Sequence, residues 1–365
     1  MALKCGIVGL PNVGKSTLFN CLSSAKAQSA NFPFCTIEPN VGIITVPDER
    51  LNKLSELVKP ERIMPTTVEI VDIAGLVKGA SKGEGLGNQF LGNIRECNAI
   101  IHVLRCFDDG NIIHVDGSVD PVRDKDVIDM ELQLKDLEAV EKRLDKAKKA
   151  ARTGDKEAMK MLAIIEKYQS HLEAGKSIRS LEMDEESMKL VGDMQLITEK
   201  PVLYVCNVDE DSAVSGNNHT KAVEELVKDE ECEVMYLCAG MESDISELET
   251  FEEKQMFLEE LGLEEPGVSY LIKKAYKLLK LETYFTAGVK EVRAWTIDVG
   301  MKAPQAAGVI HTDFEKGFIR AEVIKYVDFV ELGSEAACRE KGKLNVEGKE
   351  YVVQDGDVMH FRFNV

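Results

Sequence analysis

The apolar residues of the first 125 positions form short runs that alternate with segments of helical spacing. Apolar runs at residues 5–9, 40–46, 66–71 and 99–104 predict strands, and residues 16–22 have the spacing of a helix. Strands that alternate with helices indicate a mostly parallel sheet that is covered by helices on both faces. The pattern therefore predicts an α/β domain at the start of the chain.

A long helical periodicity replaces this pattern between residues 126 and 200. Its apolar stripe is broken near Gly154 and then resumes, which predicts two helices joined by a turn, an antiparallel helical hairpin. Strand signals return at residues 201–206 and 234–238. The hairpin is therefore predicted to be an insertion into the α/β domain.

The end of the chain has short strand signals that are separated by glycines. Strands are predicted at residues 293–298, 318–324, 351–353 and 358–363, in a segment long enough to be an independent α+β domain. The whole pattern predicts an α/β domain in two parts, a helical insert and a C-terminal α+β domain. Their ranges are residues 1–125 and 201–280, residues 126–200, and residues 281–365.

Composition restricts the class of protein. The chain has 365 residues and a net charge of −19, and no apolar run approaches the roughly 20 residues that span a bilayer. Residues 201–280 hold 19 acidic and 7 basic side chains, so the other segments can still present basic surfaces. Nine cysteines without a Cys-x-x-Cys pair indicate reduced thiols, and the first residues show no cleavable signal. We expect a cytoplasmic protein without a membrane segment.

A phosphate-binding motif lies between the first predicted strand and the first predicted helix. Residues 9–16 read Gly-Leu-Pro-Asn-Val-Gly-Lys-Ser, which is the P-loop pattern. In this motif the backbone N–H groups surround phosphate oxygens, Lys15 neutralises the β- and γ-phosphates, and Ser16 ligates Mg²⁺. The sequence therefore predicts a site for a nucleoside triphosphate with Mg²⁺.

Two later segments are predicted to contact the γ-phosphate and the metal ion. Asp72 ends a predicted strand and begins an Asp-Ile-Ala-Gly motif, in which the Asp72 carboxylate holds the Mg²⁺ hydration shell and the Gly75 N–H contacts the γ-phosphate. Thr36 precedes another strand and is interpreted as a Mg²⁺ ligand that senses the γ-phosphate. The alternative is that Thr36 only begins the strand.

The residue after Gly75 bears on the rate of hydrolysis. Leu76 stands where Ras-like GTPases have the glutamine that orients the attacking water, and a leucine cannot do so. We therefore expect slow turnover, or a catalytic group from elsewhere. His114, in the polar loop at residues 108–116, can accept a proton near neutral pH and is a candidate. The alternative is a surface-loop histidine without a catalytic role.

The base-reading motif is expected after the strand at residues 201–206. GTPases of this class have Asn-Lys-x-Asp there, whereas this chain has Asn207, Val208, an aspartate and Glu210. The Glu210 carboxylate is displaced by roughly one methylene, which disturbs a bidentate pair with guanine. Asn207 and Val208 still suit a purine, and Gly240 is predicted to close the pocket. The motif favours ATP over GTP.

These motifs together resemble the YchF or Obg-like ATPase subfamily of the Obg-related P-loop NTPases, which are of the TRAFAC class. The resemblance rests on residues 9–17, 31–36, 72–81, 83–88 and 207–210 and covers the whole chain in order. It implies an OBG-type nucleotide domain with mostly parallel sheet, an inserted hairpin and a C-terminal ubiquitin-like domain of the TGS type. It implies nucleotide contacts and Mg²⁺ ligands at the following positions: Asn12, Val13, Gly14, Lys15, Ser16, Thr17 and Val208 for the nucleotide, Ser16 and Thr36 for Mg²⁺.

The resemblance also implies a function. It is that of a slow, Mg²⁺-dependent switch that hydrolyses ATP to ADP and phosphate, uses GTP less well, and associates with the large ribosomal subunit or the whole ribosome. Two alternatives stay open: a GTPase with relaxed base specificity, and a nucleotide-stabilised ribosome-binding scaffold in which hydrolysis is incidental. Four basic residues of the insert predict contact with ribosomal RNA, unless they only form a solvated helix face: Lys142, Arg143, Lys146 and Lys149.

Overall fold

The computed structural model describes residues 4–24, 41–73, 86–248 and 250–364. Within these ranges the chain forms twelve strands. They are β1 (Lys4–Val8), β2 (Val41–Thr45), β3 (Arg62–Met64), β4 (Thr67–Asp72), β5 (Ala99–Arg105), β6 (Val202–Asn207), β7 (Glu233–Leu237), β8 (Leu281–Ala287), β9 (Glu291–Asp298), β10 (Phe318–Lys325), β11 (Asn345–Glu347) and β12 (Asp357–Phe363).

The same ranges contain fourteen α-helices. They are α1 (Lys15–Ser24), α2 (Glu49–Val58), α3 (Leu86–Glu96), α4 (Pro121–Ala151), α5 (Lys156–Glu173), α6 (Glu185–Val191), α7 (Asn218–Val227), α8 (Ala239–Glu247), α9 (Phe251–Leu261), α10 (Gly267–Leu278), α11 (Ala303–Ile310), α12 (Thr312–Lys316), α13 (Tyr326–Leu332) and α14 (Glu335–Glu340). The chain divides into two compact units, Met1–Ile44 with Glu69–Leu271 and Thr45–Val68 with Ile272–Val365.

The sheet of the first unit has the strand order β2-β4-β1-β5-β6-β7. β1 pairs in parallel with β4 and β5, and β5, β6 and β7 continue the parallel pairing. β5 and β6 are buried along their whole length, as central strands of a sheet covered by helices must be. The predicted mostly parallel sheet is confirmed. Parallel pairing brings the carboxyl ends of β1, β4, β5, β6 and β7 to one edge, where ligands bind in such sheets.

The helical insert is the predicted antiparallel hairpin, formed by α4 and α5. The turn between them contains Gly154, which has a φ of 79°, a conformation that side chains disfavour. α4 begins at Pro121, before the expected boundary at residue 126, because the Asp120 side chain accepts a hydrogen bond from the Arg123 N–H and caps the helix. The hairpin has its own buried apolar cluster, which includes Val140, Leu144, Ile165, Tyr168 and Leu172.

The sheet of the second unit has the order β11-β10-β12-β8-β9-β3. The sequence assigns residues 45–68 to the nucleotide domain, but the structure places them in this unit. The reason is that β3 pairs in parallel with β9, and Leu51 and Leu54 of α2 pack against Phe285 and Phe329. Short β3 offers no periodicity that a sequence pattern can detect.

The predicted strands of the second unit are confirmed with one exception. β9, β10 and β12 coincide with predicted strands, whereas the expected strand at residues 351–353 is wrong, because Val352 forms only an isolated bridge with Lys302. The pattern also misses β8 and β11.

Two predictions from composition can be compared with the described ranges. The eight cysteines there form no disulfide with one another, and seven of them are buried. Cys35 lies outside the described residues. No helix within the same ranges has the length and apolarity that a membrane span requires.

Candidate nucleotide site

The P-loop connects β1 to α1 and has a strongly constrained backbone. Gly14 has a φ of 96°, and a Cβ at this position would collide with Asn207 Nδ2. A Cβ at Gly9 would lie 2.5 Å from the Val103 carbonyl oxygen. Asn12 also adopts a positive φ, 62°, which asparagine tolerates better than most residues. The two motif glycines are therefore required by close approach to neighbouring strands as well as by the turn.

Lys15 is the cation of the motif, and its side chain is buried. Its Nζ donates a hydrogen bond to the Leu10 carbonyl oxygen at 2.6 Å. Burial lowers the pKa of Lys15 to about 8, and the charge of Asp72 opposes this shift. A buried ammonium that is bonded to a carbonyl is poorly compensated, so the site is suited to an anionic ligand such as a phosphate.

Asp72 ends β4 beside Ile7 of β1. Its Oδ1 is buried and has no hydrogen-bond partner within the described residues, and burial raises the pKa of this carboxyl while Lys15 lowers it. A hydrated Mg²⁺ would satisfy this oxygen, and the exposed Ser16 at the start of α1 offers the hydroxyl ligand. Both residues therefore fit the expected metal ion. Thr36, Gly75 and Leu76 lie outside the described residues.

Asn207, at the end of β6, connects three segments. Its Nδ2 donates to the Val13 carbonyl oxygen at 2.9 Å, and its Oδ1 accepts from the Ala239 N–H at 3.0 Å. One buried amide thus joins the P-loop to the start of α8. Val208 has only 2% of its surface exposed, and its N–H donates to the Leu237 carbonyl oxygen.

A cavity of about 610 Å³ opens beside these segments, a volume suited to a nucleoside. Seven of the predicted nucleotide-binding residues line it: Asn12, Gly14, Thr17, Asn207, Val208, Glu210 and Gly240. Glu210 and Gly240 are exposed. The structure therefore brings together residues that are more than 200 positions apart in the chain.

The loop after β5 also lines the cavity, and sequence reasoning missed it. Its contributing residues are Phe107, Asp109 and Ile112. No motif marks this loop. The available signal is its position, because a loop that follows the carboxyl end of a central parallel strand lies at the ligand-binding edge of the sheet.

His114 is not the surface residue of the alternative interpretation, because only 6% of it is exposed. Its Nε2 lies 2.8 Å from Asp124 Oδ2, and its Nδ1 accepts from the Asp116 N–H at 3.2 Å. This pairing assigns the proton to Nε2. Both ring nitrogens are occupied, so neither is available to an attacking water in this arrangement, and the catalytic role stays a prediction. The adjacent Ile113 carbonyl accepts from Asn12 Nδ2 at 3.1 Å.

The four basic residues of the insert fall into two classes. Lys142 pairs with Glu138 at 2.5 Å and Arg143 pairs with Asp193 at 2.9 Å. Lys146 and Lys149 are exposed and have no ion pair in the part of the chain that the structure describes. Hydrogen bonds from Lys135 and Lys142 lower the pKa of Glu138 to about 2. Lys146 and Lys149 are therefore the charges that remain open to a phosphate partner.

Two family models match the chain. Residues 4–150 match the model described as 50S ribosome-binding GTPase. Residues 281–364 match the C-terminal model of the YchF GTPases, which is described as a protein of unknown function, DUF933.

Individual proteins match over the full length. The chain is 58% identical over 367 residues to the ribosome-binding ATPase YchF of Bacillus subtilis and 56% identical over 365 residues to that of Haemophilus influenzae, with 100% of each chain covered. Its structure is similar to that of the YchF GTPase of Schizosaccharomyces pombe, with a TM-score of 0.89, 40% identity, and coverage of 99% of this chain and 97% of that one. The similarity thus includes the insert and the C-terminal unit.

Proposed function

We propose that this chain, which belongs to the YchF family of P-loop NTPases, is a Mg²⁺-dependent ATPase that acts as a slow switch on the ribosome. The observation that carries the ATP assignment is the cavity beside the P-loop, which Val208 and Glu210 line in place of the lysine and aspartate that read guanine. Relatives named ribosome-binding ATPases support the ribosome as partner and a cytoplasmic location.

The residues of the site have separate tasks in this proposal. Lys15 neutralises the β- and γ-phosphates, and Ser16, Thr36 and, through water, Asp72 hold Mg²⁺. The metal ion, when bound, offsets the charge that develops on the phosphates. The Gly75 N–H contacts the γ-phosphate, which makes the following segment sensitive to hydrolysis.

Slow turnover is expected because neither of the two candidate residues is free to orient the attacking water. Leu76 cannot orient water, and both nitrogens of His114 are bonded within their own loop and α4. Hydrolysis by the isolated protein therefore requires the loop that carries His114 to rearrange, or the ribosome to supply a catalytic group. The scaffold alternative predicts instead that no partner raises the rate of nucleotide hydrolysis.

Single-turnover hydrolysis of ATP and GTP, with and without ribosomes, tests the proposal. We expect measurable ATP cleavage, slower GTP cleavage and stimulation of ATP cleavage by ribosomes. Absence of cleavage with either nucleotide and any ribosome preparation, together with tight nucleotide binding, supports the scaffold. Guanine nucleotides that bind at least as tightly as adenine nucleotides contradict the base assignment.

Glu210→Asp is expected to shift base preference toward guanine. The shorter carboxylate at the cavity can approach guanine N1 and N2 as a bidentate acceptor, so the affinity for GTP relative to ATP should rise about tenfold. Titration of both nucleotides measures the ratio. Glu210→Gln keeps the length but loses the charge, and it should not raise GTP affinity. An unchanged ratio in Glu210→Asp means that Glu210 does not face the base.

Lys146→Glu is expected to weaken ribosome binding in a salt-dependent way. Lys146 is exposed and without an ion pair in the described ranges, so a contact to an RNA phosphate should contribute about one unit to the slope of log affinity against log salt. Sedimentation with ribosomes at several salt concentrations measures the slope. Lys221→Glu, the same charge change on exposed α7, is the control. Equal slopes for both variants and the wild type indicate a merely solvated face.

A further inference from the structure

Arg105, the last residue of β5, is a buried cation with an unusual set of partners. Only 1% of it is exposed, and it forms no ion pair with a carboxylate among the described residues. Within the described residues it donates three hydrogen bonds, all to backbone carbonyl oxygens. Nε donates to Phe107 at 3.2 Å, Nη1 to Ile112 at 2.9 Å and Nη2 to Asp109 at 3.1 Å. Burial of a guanidinium without a counter-ion is unfavourable, so this arrangement needs a reason other than stability.

The three carbonyls belong to the loop that lines the nucleotide cavity. Phe107, Asp109 and Ile112 face that cavity, and the Arg105 guanidinium also lies 4.6 Å from the centre of the Phe107 ring. Ile112 is 38% exposed, and most of the loop is similarly open to solvent. Since packing contributes little to its shape, the three hydrogen bonds of the guanidinium fork are a strong constraint on the loop.

This constraint changes the chemistry of the cavity wall. The carbonyls of Phe107, Asp109 and Ile112 each accept a hydrogen bond from Arg105, which makes them less available as acceptors for a bound ligand. Their side chains are left to form the wall, with an aromatic ring and an isoleucine that suit the flat face of a base. Polar side chains that could distinguish one base from another line the same cavity at Asp109, Asn207 and Glu210.

We propose that Arg105 is a positioning residue for the base of the nucleotide, because it holds loop 107–112 in the shape of one cavity wall. The inference rests on the proposed function, in that the cavity receives the base of a nucleoside triphosphate. Lysine cannot replace Arg105, because three carbonyls in different directions require the planar fork of a guanidinium. The neighbouring bond from Asn12 to the Ile113 carbonyl joins the same loop to the P-loop.

The test compares ligands with and without a base. For the full-length Arg105→Lys variant, we would measure the Kd of Mg–ATP and the inhibition constant of tripolyphosphate, which has the phosphates but no base. We expect ATP affinity to fall about tenfold or more, and tripolyphosphate affinity to stay within about twofold. Arg179→Lys, a conservative change at a half-buried arginine that pairs with Asp129 and Glu230 and does not line the cavity, should leave both constants unchanged.

Several outcomes overturn the inference. Unchanged ATP affinity in Arg105→Lys does so, and so does an equal loss for ATP and tripolyphosphate, which indicates general damage to the P-loop. If Arg105→Lys does not fold, Ile112→Ala removes part of the wall at an exposed position, and unchanged ATP affinity there also overturns it. If the wild type binds ATP no more tightly than tripolyphosphate, the cavity does not bind the base, and the proposed function is wrong instead.

Discussion

Lys15→Ala is expected to lower the affinity for Mg–ATP by at least about 100-fold, which corresponds to about 2.7 kcal/mol. The ammonium is buried at the P-loop and has only the Leu10 carbonyl as a described hydrogen-bond partner, so a phosphate would be its main anionic ligand. Charge-assisted hydrogen bonds from a buried ammonium are strong enough for a loss of this size. Equilibrium titration with ATP measures the effect.

The same variant should remain folded, which separates loss of the site from loss of the protein. Burial lowers the pKa of Lys15 from 10.5 to about 8, so at pH 7 the folded protein holds a proton that the buried site disfavours. Alanine removes this unfavourable charge. We expect the melting temperature without nucleotide to stay close to that of the wild type, and Lys221→Ala to leave both measurements unchanged. ATP binding by Lys15→Ala within about fivefold of the wild type contradicts the assignment of the phosphate site.

The P-loop and the strands around it could be predicted from the sequence because their signals are local. The glycines, Lys15 and Ser16 occur at fixed spacing between a strand and a helix. Asn207 could also be found, as part of an altered motif after a strand. The hydrogen bond from Asn207 to the Val13 carbonyl could not be predicted. It joins residues 194 positions apart, and no local pattern indicates such a contact.

The hydrogen bonds of Arg105 and the burial of His114 could not be predicted from the sequence. The bonds of Arg105 go to backbone carbonyls, which every residue has, so no residue type nearby reveals them. His114 occurs in a polar stretch that suggests exposure, yet its Nε2 forms a buried hydrogen bond with Asp124, in the first turn of α4. Residues 45–68 were misassigned for a related reason, since β3 pairs with a strand far along the chain.

Asn207→Asp is expected to lower ATP affinity about 100-fold and to destabilise the first unit by roughly 2–4 kcal/mol. The Nδ2 donor that bonds to the Val13 carbonyl would become an oxygen, which would face another oxygen at about the same separation of 2.9 Å. A buried charge would be added at the same point. The bond from the Ala239 N–H would survive, so the change acts mainly on the P-loop side.

Two further variants separate the causes. Asn218→Asp makes the same chemical change at the exposed first residue of α7, where a negative charge suits the helix N-terminus, and it should affect neither binding nor stability. Asn207→Ala removes both hydrogen bonds without adding a charge, and its loss of ATP affinity should be smaller than that of Asn207→Asp. Denaturant unfolding and ATP titration measure the two effects separately. If Asn207→Asp binds ATP as the wild type does, the P-loop keeps its shape without this amide, and the assigned role of Asn207 is wrong.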